Sequence, residues 1–263
     1  MGIPGFWNYI FHFILAGMGV FAILRTLDAS RYSALFGSLT FVLMPYLVTM
    51  VVHGHGSQMM TTAWLPWVLW GILRLHDQIN LANIGILGLL VGFQLQRAHV
   101  QIAYYTWMAA GLLILMLLCN IYGSQSNKSK SKWLIYTAVG LALGLFMAMW
   151  IYLPALNYAP YSIRGAGSGG GSGFDYATNW SFSFGEMATF FIPSFYGFGG
   201  VTYWGNMPFT DYPNYMGIIV LTLALIGILF HGSRIKWYFM ITGLIALLIS
   251  FGKYFFLYEI FYD

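Results

Sequence analysis

The 263-residue chain is 59% hydrophobic and 19% aromatic, and only 7% of it is charged. A soluble domain carries about 25% charged residues, so a water-solvated globular protein is excluded and a polytopic membrane protein is expected. The net charge of +4 is read by position, because basic residues beside membrane helices report topology; no nucleic acid is expected as a partner.

Crossing the hydrocarbon core takes about 20 apolar residues. Helix is the expected form, since a lipid-exposed backbone must satisfy its hydrogen bonds internally. In chain order, the segments 6–24, 33–52, 60–75, 81–96, 100–121, 133–153, 215–230 and 237–251 approach that length. They predict an all-α bundle of about eight transmembrane helices. The segment 81–96 is short, and Pro45, Pro66 and Pro154 are expected to kink or end their helices. Such irregular lengths point to a bundle that lines a cavity. Three regions follow: 1–154 with six helices and a basic loop at 122–132; a glycine- and aromatic-rich loop at 155–214; and 215–263 with two helices and a stub. The single cysteine, Cys119, can form no intramolecular disulfide.

Charge sets the orientation. With the first helix running from outside to inside, the inner connections hold Arg25, Arg31, Arg74, Lys128, Lys130, Lys132, Arg234 and Lys236; the outer ones hold Arg97, Arg164 and Lys253. That asymmetry, with "NKSKSK" its strongest element, places the long loop outside. Of the acids, Asp175, Glu186, Asp211, Glu259 and Asp263 also fall outside. The start, "MGIPGFWNYIFHF", lacks the basic region and cleavage motif of a signal peptide. "FGKYFFLYEIFYD" stops within an aromatic stretch, so a fragment lacking at least one N-terminal helix and the C-terminal part is expected, with a complete protein whose N-terminus lies outside as the other reading.

Three polar clusters fall on the outer side. His53, His55 and Gln58 lie between helices two and three. Gln94, Gln96, Arg97, His99, Gln101, Tyr104 and Tyr105 lie between helices four and five. The loop supplies Asp175, Tyr176, Trp180, Glu186, Tyr203, Trp204, Asp211 and Tyr215. Ionisable groups near a membrane are functional candidates, whereas at helix ends they also serve as plain interface residues. His53-x-His55 reads either as part of a metal site, since imidazole binds zinc, or as a polar cap. Arg97 and His99 can hold a phosphate, Arg97 by bidentate hydrogen bonds; an ion pair with a loop acid is the other reading of Arg97. Asp175, Glu186 and Asp211 are candidate bases, or caps and turn residues. "RGAGSGGGSGF" reads as a flexible hinge before the aromatic part of the loop, the layout of a lid, or as inert turns. His12, within an apolar helix, reads as a satisfied bundle histidine.

"HGHGSQMMTTAWLPWVLWGI", "RAHVQIAYYTW" and "YWGNMPFTDYPNYMGIIVL" resemble the YfhO family of bacterial membrane proteins, over nearly the whole chain. The resemblance implies a GT-C-like fold in the bacterial cytoplasmic membrane. It also implies transfer of a sugar from a polyprenyl-phosphate carrier to an extracytoplasmic cell-envelope glycan or polymer. The lipid-linked sugar is then donor substrate, and no resident cofactor or metal is assigned. On that reading Arg97 and His99 serve the phosphate, with His53, His55, Gln58, Gln101 and Tyr104 along the pocket wall, and Trp180, Tyr203 and Trp204 serve the sugar or acceptor. GT-C enzymes place a catalytic acid in the first external loop, which this chain is expected to lack. Asp175, Glu186 and Asp211 are then second-choice bases, and the fragment alone is expected to be inactive. A transporter or flippase of a lipid-linked substrate, and a non-catalytic subunit of an envelope complex, are the other expectations.

Overall fold

In a computed structural model, residues 5–119, 130–162, 173–210 and 214–262 are described. The basic loop at 122–129, Arg164, most of the glycine-rich hinge and Asp211 lie outside them. The described chain is all-helical apart from turns and one isolated bridge between Gly199 and Thr210. It divides into two compact units, Met1–Tyr152 and Leu153–Asp263.

The first unit contains α1 (Gly5–Thr26), α2 (Arg31–Val42), α3 (Pro45–Val52), α4 (Gly56–Asp77), α5 (Leu81–Leu95), α6 (Val100–Leu118) and most of α7 (Lys130–Tyr158). Four stretches are long and apolar enough to cross a membrane: Gly5–Thr26, Arg31–Val52, Val100–Leu118 and Lys130–Tyr161. This is a helical membrane protein. Pro45 does interrupt the second of these, which breaks at Leu43 and Met44. Pro66 and Pro154, in contrast, lie inside continuous helices. For Pro66 the reason is packing: Gly19 of α1 lies directly against its ring and against Trp67, and tertiary contact compensates for the lost backbone bond.

The expected third and fourth spans behave differently from the others. With Gln58, Thr61, Thr62, Arg74, His76 and Asp77, α4 is too polar to meet the spanning criterion, and twelve of its residues are buried. It is the hub on which α1, α5 and α6 pack, and its Thr61 and His76 are buried against protein. At 15 residues α5 is about 22 Å long, short of the hydrocarbon core of about 30 Å. Local signals set its start: Asn80 accepts the Asn83 N–H at 2.8 Å as N-cap. Arg74 then donates to Asn83 Oδ1 at 2.9 Å, tying the α4–α5 turn.

Contacts fix the helix directions. Tyr9 lies on Gly56, and Trp67 Nε1 donates to the Leu15 carbonyl at 2.8 Å, so α1 and α4 run the same way. Gln94 reaches Thr61 and Thr106, which makes α5 antiparallel to both α4 and α6. Leu87 meets Gly140, Val91 meets Gly144, and Tyr152 donates to the Leu95 carbonyl at 3.0 Å, so α7 runs with α5. One end of the unit therefore carries Arg25, Arg31, Arg74, Lys130 and Lys132. The opposite end carries His53, His55, Arg97 and His99.

The second unit holds α8 (Phe174–Ala177), a 3-10 turn at Gly185–Phe190, α9 (Ile218–Phe230), α10 (Lys236–Ser250) and α11 (Leu257–Tyr262). The expected spans 215–230 and 237–251 correspond to α9 and α10, both apolar and shorter than a full crossing. No residue of α9 is buried, which marks an apolar helix left to lipid. The segment before the 3-10 turn is bound to the end of α10. Phe182 N–H donates to the Ser250 carbonyl at 2.9 Å, Lys253 N–H to Ser181 Oγ at 3.0 Å, and Phe184 packs on Phe251 with ring centres 4.4 Å apart.

Candidate functional site

In the first unit the candidate residues occupy helix ends. His53 ends α3, its Nδ1 at 3.2 Å from the Thr49 carbonyl. Gly54, at φ +78°, turns the chain in a conformation open mainly to glycine, and His55 then precedes α4. Both histidines are exposed, Gln58 is half-buried, and Gly56 lies so close under the Tyr9 hydroxyl that a side chain there would collide. The Gly-His-Gly run is thus a tight turn seated on α1.

The second turn joins α5 to α6 through Gln96, Arg97, Ala98 and His99. Ala98 adopts φ +59°, which reverses the chain and brings His99 round to be the N-cap of α6. His99 Nδ1 accepts the Ile102 N–H at a long 3.4 Å, so in the neutral ring the proton is on Nε2, which is left as a donor. Burial, and next the nearby His55, hold His99 below its ordinary value. His55 and His99 are therefore within electrostatic reach of one another. Arg97 is half-buried, with an Nε buried and unpartnered, and it is within electrostatic reach of His12. Gln101 and Tyr104 are exposed, and Gln101 donates to Tyr105 at 2.8 Å.

Linkage gives the sign of the pH dependence at His99. The folded chain binds its proton less readily than the unfolded one, so stability is present above about pH 6.5 and falls on acidification below it. His99→Asn retains a capping oxygen and is expected to flatten that acid limb. Thermal unfolding of the detergent-solubilised protein from about pH 7.5 to 5 reads it; an unchanged limb would remove His99 as its source.

Below this surface the structure buries residues whose role the sequence did not reveal. Gln94 is fully buried; its Nε2 donates to Thr106 Oγ1 at 2.8 Å and to the Thr61 carbonyl at 3.3 Å, and its Oε1 has no partner. His12 is 2% exposed and only half-satisfied: Nδ1–H donates to the Asn8 carbonyl at 2.8 Å, while Nε2 is buried and unpartnered. The even spacing of apolar residues around His12 hid this, because pairing is a tertiary property.

In the second unit, Asp175 is exposed in the first turn of α8. Glu186 is 2% exposed and both its oxygens are engaged. Oε2 accepts the Ser183 N–H at 2.7 Å, and Oε1 accepts from the Tyr203 hydroxyl. Burial, then the bond to Glu186, keeps the Tyr203 phenol well above its ordinary range, so it remains a donor. Ser183-Phe184-Gly185-Glu186 is the spacing of a capping box, a sequence signal for the structural half of Glu186's position. Glu186, Thr189, Tyr196, Tyr203, Thr210 and Asn214 line a cavity of about 10 Å³, room for about one water. Trp180 donates to the Phe209 carbonyl at 3.2 Å, and Trp204 is 64% exposed, resting on Tyr196 with ring centres 4.3 Å apart. A Cβ at Gly205 would meet the Tyr203 ring, so any larger residue there must displace that ring.

Glu186→Ala is expected to destabilise the second unit by about 1–3 kcal/mol, because it strands a buried N–H and a buried hydroxyl. Glu186→Gln keeps an acceptor and is expected to be milder. Limited proteolysis near residue 186 compares the two; equal resistance of Glu186→Ala and the parent would refute this anchoring.

Among the described residues no group of three or more histidines, cysteines and carboxylates is placed to hold a metal ion. Comparison with known proteins finds no matching family model, no matching curated protein and no matching solved structure.

Proposed function

We propose that the chain belongs to an integral membrane transferase of GT-C-like architecture, which takes a sugar from a polyprenyl-phosphate carrier and transfers it to a cell-envelope glycan or polymer. The observation that carries this reading is the sorting of charge in the first unit. Five described basic residues lie at one end, while the other gathers one arginine and three histidines at two tight turns. The basic end is cytoplasmic by the positive-inside rule, so the Arg97 end faces outward, in a bacterial cytoplasmic membrane. Apolar flanks suit a prenyl chain, and a guanidinium with the Nε2–H donor of His99 suits a phosphate.

In the proposed step an acceptor hydroxyl oxygen attacks the anomeric carbon. The bond from that carbon to the phosphate oxygen breaks, polyprenyl phosphate leaves with the electron pair, and a base takes the hydroxyl proton. Arg97 and His99 stabilise the charge that grows on the departing phosphate; His53, His55, Gln58, Gln101 and Tyr104 line the approach. In the second unit, taken by itself, Asp175 is exposed, whereas Glu186 is buried and already accepts two hydrogen bonds. Trp204, exposed and backed by Tyr196, offers a flat apolar face to a sugar ring.

The buried Gln94–Thr61–Thr106 group favours a second reading, a transporter of a lipid-linked substrate, since transporters place polar groups inside the bundle. Equilibrium binding of a polyprenyl phosphate, against the corresponding polyprenol, tests what both share. Preference for the phosphate of tenfold or more (about 1.4 kcal/mol) is expected, and equal binding overturns the proposal. Vesicles loaded with a glycosylated carrier separate the two, because transport moves the label with its sugar–phosphate bond intact and transfer breaks that bond.

A further inference from the structure

The second unit presents an apolar surface within the long loop. The stretch 187–210 holds no charged residue, and Phe191, Ile192 and Phe195 in it are exposed. Its backbone is nevertheless satisfied locally. Phe191 N–H donates to the Ala188 carbonyl at 3.1 Å, Ile192 N–H to the same carbonyl at 2.9 Å, and Phe195 N–H to the Ile192 carbonyl at 3.1 Å. A backbone closed on itself can leave water without losing hydrogen bonds, and exposed aromatic rings gain by leaving it.

The helices that carry this stretch set its depth. α9 and α10 meet at the turn that holds Arg234 and Lys236, where Lys236 Nζ donates to the Ile228 carbonyl at 2.7 Å. The start of α9 and the end of α10 therefore lie on the opposite side, which is outer by the positive-inside rule. The loop is bonded to both. Met216 N–H, two residues before α9, donates to the Phe190 carbonyl at a long 3.4 Å, and Phe182 N–H donates to the Ser250 carbonyl, at the end of α10, at 2.9 Å. With 13 and 15 residues, α9 and α10 are about 20 and 22 Å long, against about 30 Å of hydrocarbon. Short spans end below the headgroups or thin the bilayer around them. In either case a segment bonded to their outer ends is held at the hydrocarbon boundary rather than out in water.

We propose that Phe191, Ile192 and Phe195 insert into the outer interface of the bilayer, which makes the aromatic part of the loop a membrane-seated platform rather than a lid in the aqueous phase. The occupant of the patch is lipid. A charged partner finds no complementary charge in 187–210, whereas the boundary between hydrocarbon and headgroups is where aromatic side chains concentrate. Apolar insertion needs no anionic lipid, in contrast to a polybasic anchor. On the transferase reading, Trp204, whose ring centre is 5.8 Å from that of Phe195, is thereby held at the level where the sugar of a lipid carrier lies. The insertion itself does not depend on that reading.

The test uses the purified full chain in lipid vesicles, carrying Cys119→Ser and a single new cysteine, Ile192→Cys or Phe195→Cys, labelled with an environment-sensitive fluorophore. Leu225→Cys, exposed on α9, serves as the lipid reference, and Asp175→Cys, exposed on α8, as the water reference. Labels at 192 and 195 are expected to lose emission to a lipid that carries a nitroxide near its headgroup. They are also expected to be shielded from aqueous iodide relative to the label at 175. The nitroxide effect is expected to be the same in vesicles of phosphatidylcholine alone and of equal parts phosphatidylcholine and phosphatidylglycerol. Iodide quenching equal to that at 175, without nitroxide quenching, would place the patch in water and overturn the proposal. Shielding from both quenchers would put protein over the patch, and a requirement for phosphatidylglycerol would make the attachment electrostatic; either also overturns it. Because both substituted side chains are exposed, thermal unfolding in detergent is expected to be unchanged, which separates loss of insertion from loss of fold. Should the parent protein bind no polyprenyl phosphate, the transferase reading fails, and the quenching still decides the insertion.

Discussion

Arg97→Met is expected to weaken binding of a polyprenyl phosphate by about 10- to 100-fold while leaving the fold intact. Arg97 is the one described cation at its end of the first unit, and no ion pair of Arg97 occurs among the described residues. A hydrogen bond to a charged group contributes about 1.5–3 kcal/mol, which is roughly 10- to 150-fold in affinity. The unpartnered Nε makes the substitution benign for stability, since methionine covers the aliphatic stem and removes a buried donor. Arg97→Lys is expected to recover only part of the affinity, because an ammonium restores the charge without the planar fork. The salt dependence of binding should weaken with Arg97→Met and persist with Arg97→Lys. Unchanged affinity in Arg97→Met would remove the anchor of the phosphate reading.

The sequence makes the helices of the first unit visible because each apolar run ends at a polar punctuation with its own local chemistry. Asn80 and His99 are caps, and Gly54 is a turn glycine at positive φ. Direction follows from the basic residues at helix ends, and that asymmetry reappears as two chemically different ends. Depth is another matter. Gln94 belongs by sequence to the same polar run as Gln96 and Arg97, yet it is fully buried while Gln101 is exposed. Which side of α5 faces the hub is set by contacts with Thr61 and Thr106, 33 and 12 residues away. His12 illustrates the same limit. Its apolar neighbours suggest a satisfied group, and only the partner helix reveals that Nε2 is unpaired. Glu186 is partly legible, since the capping-box spacing is local, whereas the bond from Tyr203 spans 17 residues.

Gly144→Leu is expected to separate α5 from α7 and to cause the largest loss of stability of any single substitution in the first unit. Two small-xxx-small pairs face one another across this seam, Gly88 with Gly92 and Gly140 with Gly144. In lipid, where hydrophobic burial no longer drives helix association, such close backbone approach is what packing relies on. A Cβ at Gly144 would lie 2.5 Å from the Val91 Cβ and 2.8 Å from the Gly88 carbonyl oxygen. The carbonyl cannot rotate away as a side chain can. Even Gly144→Ala is therefore expected to cost about 1–3 kcal/mol, and the leucine more. Gly92→Ala meets only the Met147 side chain, at 3.0 Å, and should be milder because methionine adapts. Gly85 and Gly111 have nothing within 4 Å of a built Cβ, so alanine at either is expected to be neutral or to stabilise by about 0.5–1 kcal/mol. Thermal unfolding of the four alanine variants in one detergent orders them, and a Gly144→Ala protein as stable as Gly111→Ala would refute the seam. The seam also bears on the site, because beyond it Tyr152 holds the Leu95 carbonyl two residues before Arg97. Loss of polyprenyl-phosphate affinity is thus expected to accompany the loss of stability in Gly144→Leu, although no atom of residue 144 belongs to the site.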